Sequence, residues 1–280
     1  MNRITAQLHT QLSRGKPLTR RRPAPSRSSP SSPSSPPTLV AVAHGSRDPG
    51  ALRTVTALLD RVRALRPEVP VRLGHIELNQ PLLTDTLAAL RGDVVVVPLL
   101  LGRGHHIKRD IPAAVAAAPH LAARIAAPLG PHPLLAEALH TRLAEAGRRP
   151  LSAAVSPATG VVLAAAGSND PDAAIDTART VALLSTRLGG VPVLPGHASG
   201  AGPGVPDALR ALAALGHERV AVASYFTAPG RFARQCAEAA PGAAAAPLGA
   251  HPAVARLVLH RYEQALTNAP LSHRAVTVGV

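Results

Sequence analysis

Three ionisable side chains in the first half of the chain have types and positions that could do chemistry: His44, Glu77 and His106. Each one ends or follows an apolar run of strand length. Neutral imidazole nitrogens bind divalent first-row metals and accept protons near neutral pH. Two such ligands leave most of a cation's coordination sphere open, which suits a cation that is handed on better than a structural metal. The set therefore predicts a site that holds a divalent cation loosely and takes protons from the cation's recipient.

The elements that must position these side chains are short strands alternating with amphipathic helices. Apolar runs predict strands at 39–43, 71–78, 94–97 and, more briefly, 125–128. Apolar periodicity with proline and glycine boundaries predicts helices at about 52–65, 82–90, 108–118 and 134–146. This alternation is typical of an α/β fold with parallel sheets, in which the strands are buried on both faces. Ligands bind beyond the carboxyl ends of such strands, where His44 and His106 are predicted to lie.

The second half of the chain repeats the plan of the first. Four blocks recur in the same order: 39–49 with 161–171 and 74–75 with 196–197, both at an offset of 122, then 95–101 with 221–227 at 126, and 128–133 with 247–252 at 119. Such a duplication predicts two homologous lobes with parallel sheets. The predicted organisation is a disordered basic Ser/Pro-rich tail at 1–37, a catalytic lobe at 38–147, a linker at 148–159, a degenerate lobe at 160–266 and a C-terminal tail at 267–280.

The duplication separates structural residues from candidates for function. Two histidine pairs are kept in both halves, His75 with His197 and His132 with His251, and we interpret them as structural. The three candidates are kept in one half only. At the same offsets His44 faces Ala166, Glu77 faces Ser199 and His106 faces Phe232. The ionisable set is therefore predicted to belong to the first lobe alone.

Composition excludes several other kinds of site. The single cysteine, Cys236, excludes a disulfide framework, a cysteine-based zinc site and an iron–sulfur cluster. The chain has no Trp and only two Tyr and two Phe, which excludes an aromatic platform for single-stranded nucleic acid. Residues 1–37 hold seven Lys or Arg and no acidic residue, so half of the net charge of +14 lies there. We expect no nucleic-acid partner, no membrane span and a cytoplasmic location, and the oligomeric state stays open.

Four motif blocks together resemble the sirohydrochlorin chelatase family, which includes the cobalt- and iron-inserting class II chelatases. The blocks are His44-Gly-Ser-Arg-Asp-Pro49, the strand end Ile76-Glu-Leu78, Pro98-Leu-Leu-Leu followed by Gly104-His-His-Ile-Lys-Arg-Asp-Ile-Pro112, and Pro128-Leu-Gly-Pro-His-Pro133. The resemblance covers about 38–145 closely and 160–262 more faintly. It implies two flavodoxin-like lobes that face each other across a tetrapyrrole cleft.

The resemblance also implies roles for individual residues. The family's two active-site histidines, which are also the metal ligands, fall on His44 and His106, and its strand-end glutamate falls on Glu77. Gly104 is followed by two histidines. We align His106 rather than His105 because it precedes the Asp-Ile-Pro block by four residues, and either choice stays open.

The substrate implied by the resemblance is sirohydrochlorin, a polycarboxylate tetrapyrrole, in sirohaem or cobalamin biosynthesis. Fe²⁺ or Co²⁺ would be the substrate metal, with no permanently bound cofactor, and the sequence does not choose between the two cations. Substrate carboxylates would meet basic side chains and backbone N–H groups, and the candidates are Gly45, Ser46, Arg47, Arg103, Gly104, Lys108 and Arg109.

Two other functions are weighed against a chelatase. A non-catalytic carrier of metal or tetrapyrrole would use the same scaffold, and it would bind sirohydrochlorin without accelerating metal insertion. A histidine-nucleophile phosphatase would want an arginine directly before the histidine, and Ala43 stands there.

Overall fold

Two parallel β-sheets, one in each half of the chain, carry strands and helices in the predicted alternation. The structure, a computed structural model, describes residues 35–147, 159–200, 202–240, 242 and 244–268. The predictions of a disordered tail at 1–37, a linker at 148–159 and a C-terminal tail at 267–280 fall almost wholly outside the described residues. Within the described part of the chain, no helix combines the length and apolarity needed to cross a membrane.

The first half forms a four-stranded sheet in the order β2-β1-β3-β4. Its elements are β1 (Thr38–Ala43), α1 (Pro49–Leu65), β2 (Val71–His75), α2 (Leu83–Ala88), β3 (Gly92–Pro98), a single π-helical turn (His106–Asp110), α3 (Ile111–Ala116), β4 (Leu121–Ile125) and α4 (Pro133–Gly147). All three strand pairs are parallel. The predicted α/β class is therefore confirmed.

The second half forms a three-stranded parallel sheet in the order β6-β5-β7. Its elements are β5 (Thr159–Ala165), α5 (Pro171–Arg187), β6 (Val193–His197), α6 (Val205–Ala214), β7 (Arg219–Tyr225), α7 (Arg231–Glu238) and α8 (Pro252–Thr267). Where the first sheet has its fourth strand, the described residues of the second half show a single bridge between Val222 and Ala244.

Strand register confirms the duplication. Ala43 pairs with His75 in the first sheet, and Ala165 pairs with His197 in the second, which keeps the offset of 122 on both strands. The neighbouring strand keeps the offset of 126, because β1 pairs with β3 in the same register as β5 with β7. The two halves thus repeat one architecture residue by residue.

Three predicted boundaries are wrong. Strand β2 ends at His75 rather than at residue 78, because the chain turns at Leu78, whose φ of 66° is left-handed. Strand β4 lies upstream of the predicted 125–128. The predicted helix 108–118 starts earlier, as a π-helical turn that leads into α3. The wider turn accommodates Pro112, whose ring would clash with a carbonyl in a regular α-helix.

The last helix of each half packs against the other half. Helix α4 contacts α5 and β7, whereas α8 contacts α1 and β3. Two arginines on these helices make matching contacts with the other half: Arg142 donates to the Leu248 carbonyl at 3.2 Å, and Arg261 donates to the Leu129 carbonyl at 3.0 Å. The sheets and these helices share one buried core that includes Leu39, Val161 and Tyr262. The halves are therefore interlocked rather than merely tethered.

A second, smaller core fixes the outer face of the first sheet. Buried residues of β1 and β3, such as Val40 and Val96, pack against Leu83 and Leu87 of α2 and Ile111 of α3. This apolar contact anchors the start of α3, and with it the π-helical turn, beside the carboxyl ends of the strands. The elements that carry the candidate residues are thus held on both sides.

Candidate active site

The loop after β1 places His44 at the carboxyl edge of the first sheet, where the side chain is 45% exposed. Gly45 makes this turn possible. It has a φ of 102°, and a Cβ there would lie 1.8 Å from the Glu77 carbonyl oxygen. The matching glycine of the second half, Gly167, has the same close approach, 1.8 Å, to the Ser199 carbonyl oxygen. Because the second half makes the same contact without the ionisable residues, we interpret the glycine as structural. In both lobes it lets the two loops pack closely.

The π-helical turn presents His106 beside a carboxylate. The Nδ1 atom of His106 lies 2.5 Å from Oδ2 of Asp110, one turn later. Asp110 was not among the predicted site residues. Two sequence signals point to it: the spacing of four residues on a helix, and its counterpart at the offset of 126, which is Cys236. Burial raises the pKa of the Cys236 thiol to about 11, so that side chain does not replace the carboxylate in the second lobe.

His44 and His106 come together as predicted. Their ring centres lie 4.8 Å apart, with the planes nearly perpendicular at 85°. A bound cation about 2 Å from each nitrogen lies about 3 Å from each ring centre, so one cation is within reach of both rings. Among the described residues, no group of three or more His, Cys, Asp or Glu side chains forms a metal site. The pair therefore offers two imidazole ligands and leaves the rest of the coordination sphere open.

Both rings have their Nδ1 atoms engaged by oxygen acceptors. Nδ1 of His44 lies 3.2 Å from the Gly45 carbonyl and 3.7 Å from Oε1 of Glu77. Nδ1 of His106 faces Asp110. Carbonyl and carboxylate oxygens accept hydrogen bonds and do not donate them. The proton of each neutral ring therefore lies on Nδ1, which leaves the Nε2 lone pair of each ring for a cation or a proton.

His105 is placed differently from its neighbour. Its side chain is 75% exposed, against 33% for His106. Its ring centre lies 6.2 Å from that of His106, and its Nε2 atom is 3.5 Å from Asp110. The geometry thus favours His106 as the partner of His44.

A cavity of about 560 Å³ opens beside the pair, and His106, Glu77 and Asp110 line it. The rest of its lining comes from β2, α2 and α3 and is mostly apolar. All lining residues belong to the first half of the chain. This cavity is therefore built by one lobe.

Two of the predicted carboxylate-binding cations are already paired across the lobes. Arg103 forms an ion pair with Asp176 at 2.8 Å, and Lys108 lies 2.7 Å from Asp170 and 2.9 Å from Asp172. Hydrogen bonds to these aspartates raise the pKa of both basic groups. Both side chains are thus engaged by carboxylates of the second lobe, and their role in binding substrate carboxylates stays a prediction.

The other residues predicted to bind substrate carboxylates are either exposed or in contact with other parts of the protein. Arg47 and Arg109 are exposed and make no ion pair with any described residue. The Ser46 N–H donates to Oδ1 of Asn79 at 2.7 Å, and helix α1 begins later, at Pro49. The Gly104 carbonyl accepts a hydrogen bond from the Lys108 N–H at 3.0 Å, just before the π-helical turn.

The histidines that both halves keep are structural, as predicted. Nδ1 of His132 accepts from the Leu134 N–H, and Nδ1 of His251 accepts from the Ala253 N–H, so each ring caps the start of α4 or α8. His75 and His197 each direct Nδ1 to a proline carbonyl, at 3.2 Å in both lobes. The histidines that both halves keep thus make matching backbone contacts in the two halves, whereas the functional role of His44 and His106 stays a prediction.

The chain is similar in sequence and in fold to known proteins. The model of the CbiX family matches residues 38–146 and 160–265. The sirohydrochlorin cobaltochelatase of Priestia megaterium is 30% identical over 194 residues, which are 66% of this chain and 62% of that protein, so the match spans less than two thirds of the relative.

Two solved structures share the fold. The sirohydrochlorin chelatase SirB from Bacillus subtilis subspecies spizizenii, in complex with cobalt, superposes with a TM-score of 0.63 at 23% identity over 82% of this chain and 96% of that one. CbiX, the terminal enzyme for biosynthesis of siroheme in denitrifying bacteria, gives 0.62 at 24% identity over 82% and 100%. The chain therefore belongs to the CbiX family, the sirohydrochlorin chelatase family that its four motif blocks resemble.

Proposed function

We propose that this protein inserts a divalent cation, Co²⁺ or Fe²⁺, into sirohydrochlorin. The observation that carries the proposal is the pair of imidazoles, His44 and His106, whose ring centres lie 4.8 Å apart and of which His106 lines the cavity. Membership of the CbiX family supports the substrate, and the relative from Priestia megaterium carries the name sirohydrochlorin cobaltochelatase. A cytoplasmic location fits such a biosynthetic enzyme and is part of the proposal.

The reaction exchanges one cation for two protons. The divalent cation replaces the hydrogens of two pyrrole N–H groups, so two protons must leave the macrocycle. In the proposal, the two Nε2 atoms first hold the cation and then, once it has passed to the ring nitrogens, each accepts one proton. Two imidazoles match this stoichiometry, and neutral imidazole is a suitable base near neutral pH.

Each imidazole has a carboxylate near Nδ1, the ring nitrogen opposite the one assigned to the cation. Glu77 stands by Nδ1 of His44 at 3.7 Å, and Asp110 by Nδ1 of His106 at 2.5 Å. When Nε2 takes a proton the ring becomes a cation, and a carboxylate at Nδ1 stabilises it. In the proposal Glu77 and Asp110 are therefore positioning residues, whereas His44 and His106 touch the cation.

The substrate's carboxylates need cations at the edge of the site. Arg47 and Arg109 remain for this task, because Arg103 and Lys108 are engaged with the second lobe. The apolar lining contributed by α2 and α3 suits the flat face of a macrocycle. We propose that the ring rests against this lining with its carboxylates directed toward the exposed arginines.

Insertion assays test the proposal directly. Purified protein, sirohydrochlorin and either Co²⁺ or Fe²⁺ are mixed anaerobically, and the visible spectrum reports insertion. We expect His44→Ala and His106→Ala to reduce the rate to that of the spontaneous reaction, His105→Ala to retain it, and Glu77→Ala to cause a smaller loss. An undiminished rate in His44→Ala would refute the proposal. Binding of sirohydrochlorin by the wild-type protein without acceleration would identify a carrier instead.

A further inference from the structure

The loop that leads to His106 is held by a buried aspartate of the second lobe. The Asp176 side chain on α5 is 3% exposed, and its carboxylate accepts hydrogen bonds from three donor groups of Arg103: the backbone N–H at 2.8 Å, Nε at 3.0 Å and Nη2 at 2.8 Å. Desolvation alone would raise the pKa of Asp176, but these hydrogen bonds outweigh it and the pKa is lowered. The carboxylate is therefore charged and fully paired, and it fixes both backbone and side chain of a residue three positions before His106.

A second contact from the same lobe holds the loop slightly earlier. The Tyr225 hydroxyl donates to the Leu101 carbonyl at 2.9 Å and accepts from Oγ1 of Thr180 at 3.2 Å. Burial raises the pKa of Tyr225, so the phenol keeps its proton and remains a donor. Gly130 leaves the space for this contact, since a Cβ there would lie 2.2 Å from both the hydroxyl and the Leu101 carbonyl.

Two ion pairs between the lobes are symmetric. Lys108 pairs with Asp170, the N-cap of α5, and Arg234 pairs with Asp48, the N-cap of α1, at 2.5 Å. These two ion pairs exchange under the offsets of 122 and 126. These two ion pairs are therefore shared features of the duplicated architecture.

We call the contacts of Asp176 with Arg103 and of Tyr225 with Leu101 the clamp. The clamp has no such symmetric counterpart. At the same offsets, Thr54 stands for Asp176, Pro229 for Arg103 and Leu99 for Tyr225. A threonine and a proline cannot form an ion pair, and a leucine has no hydroxyl to donate. The clamp thus runs in one direction only, from the lobe without imidazoles to the loop that leads to His106.

We propose that the second lobe acts as a positioning device for His106, with Asp176 and Tyr225 as its positioning residues. This inference rests on the proposed function, because it assigns the clamp the task of keeping the two imidazoles at the separation a shared cation needs. Their ring centres are 4.8 Å apart, and His44 is held separately by the β1 loop. A displacement of about 1 Å in a reacting group can cost about 100-fold in rate.

Two conservative variants test the clamp. Asp176→Asn removes the charge at constant size, and Tyr225→Phe removes one hydroxyl while keeping the buried ring. We expect kcat for Co²⁺ insertion to fall roughly 10- to 100-fold in Asp176→Asn and by a smaller factor in Tyr225→Phe. The KM for sirohydrochlorin should stay unchanged. The affinity for Co²⁺ alone, measured by titration calorimetry without tetrapyrrole, should fall in the same order.

The symmetric ion pair provides the matched control. Arg234→Gln breaks a contact between the lobes on the opposite loop, and we expect wild-type kcat and wild-type Co²⁺ affinity. Wild-type values of both quantities in Tyr225→Phe and in folded Asp176→Asn would overturn the inference. So would an equal loss in Arg234→Gln, or a wild-type protein that does not bind Co²⁺ at all. If the wild-type protein binds Co²⁺ but inserts none, the proposed function fails, and the affinity measurements still decide whether the clamp positions His106.

Discussion

Replacing Asp110 with asparagine removes the charge that faces Nδ1 of His106 and leaves the side chain's size unchanged. A hydrogen bond to a charged group contributes about 1.5–3 kcal/mol. The side chains of His106 and Asp110 are 33% and 40% exposed, so solvent screens the contact and the lower part of that range applies, about 1.5–2 kcal/mol. Each 1.36 kcal/mol is a factor of ten in rate, so we expect kcat to fall about 10- to 30-fold.

The measurement is the initial rate of metal insertion under anaerobic conditions, with sirohydrochlorin varied to separate kcat from KM. Because Asp110 acts on the imidazole that takes the cation and the proton, the loss should appear in kcat. Asp85→Asn is the matched control, since this aspartate lies on the neighbouring helix α2 and makes no ion pair with any described residue. A wild-type kcat in Asp110→Asn, or the same loss in Asp85→Asn, would refute the argument that the carboxylate supports His106.

Two further predictions follow from the duplication. Gly45→Ala and Gly167→Ala should each lower the free energy of unfolding by at least about 1 kcal/mol in denaturant, because both introduce a Cβ 1.8 Å from a carbonyl oxygen at positive φ. Only Gly45→Ala should also reduce the rate of metal insertion. Equal insertion rates in the two variants would contradict this expectation. Burial lowers the pKa of His132 and His251 below 6.5, so the stability that these neutral caps contribute is complete above pH 6.5 and is lost as the pH falls through their folded pKa values. The double variant His132→Asn/His251→Asn keeps an N-cap acceptor without the titration, so its melting temperature should fall less between pH 7 and 5 than that of the wild type; parallel declines would show that the caps do not titrate in this range.

Residues that act through neighbours in the sequence were the easiest to predict. The strands β1 and β3 follow from continuous apolar runs, and the register of the two sheets agrees with the offsets of 122 and 126. The structural histidines also followed from the repeat, because a capping residue is needed wherever the same helix begins. His44 and His106 were predicted from the same comparison, and the structure brings their rings together.

Residues that act across the lobes could not be predicted. The sequence shows the cationic side chains of Arg103 and Lys108, but it does not show the aspartates that pair with them from more than 60 positions away. The packing of α4 and α8 against the opposite halves could not be predicted either, because the apolar pattern of a helix does not show which sheet buries it. Asp110 was not predicted, because a carboxylate four residues after a histidine shows its contact with the ring only once the local helical turn is known.

The sequence by itself determined that the protein is a duplicated α/β fold and that one half alone carries two imidazoles at strand ends, because apolar periodicity and a repeat are written along the chain. Only the tertiary structure decided which nitrogen of each imidazole is free, which carboxylate supports it and which basic residues are already paired. Those properties depend on distances of a few ångströms between groups far apart in sequence, and such distances are set by packing between elements rather than within them.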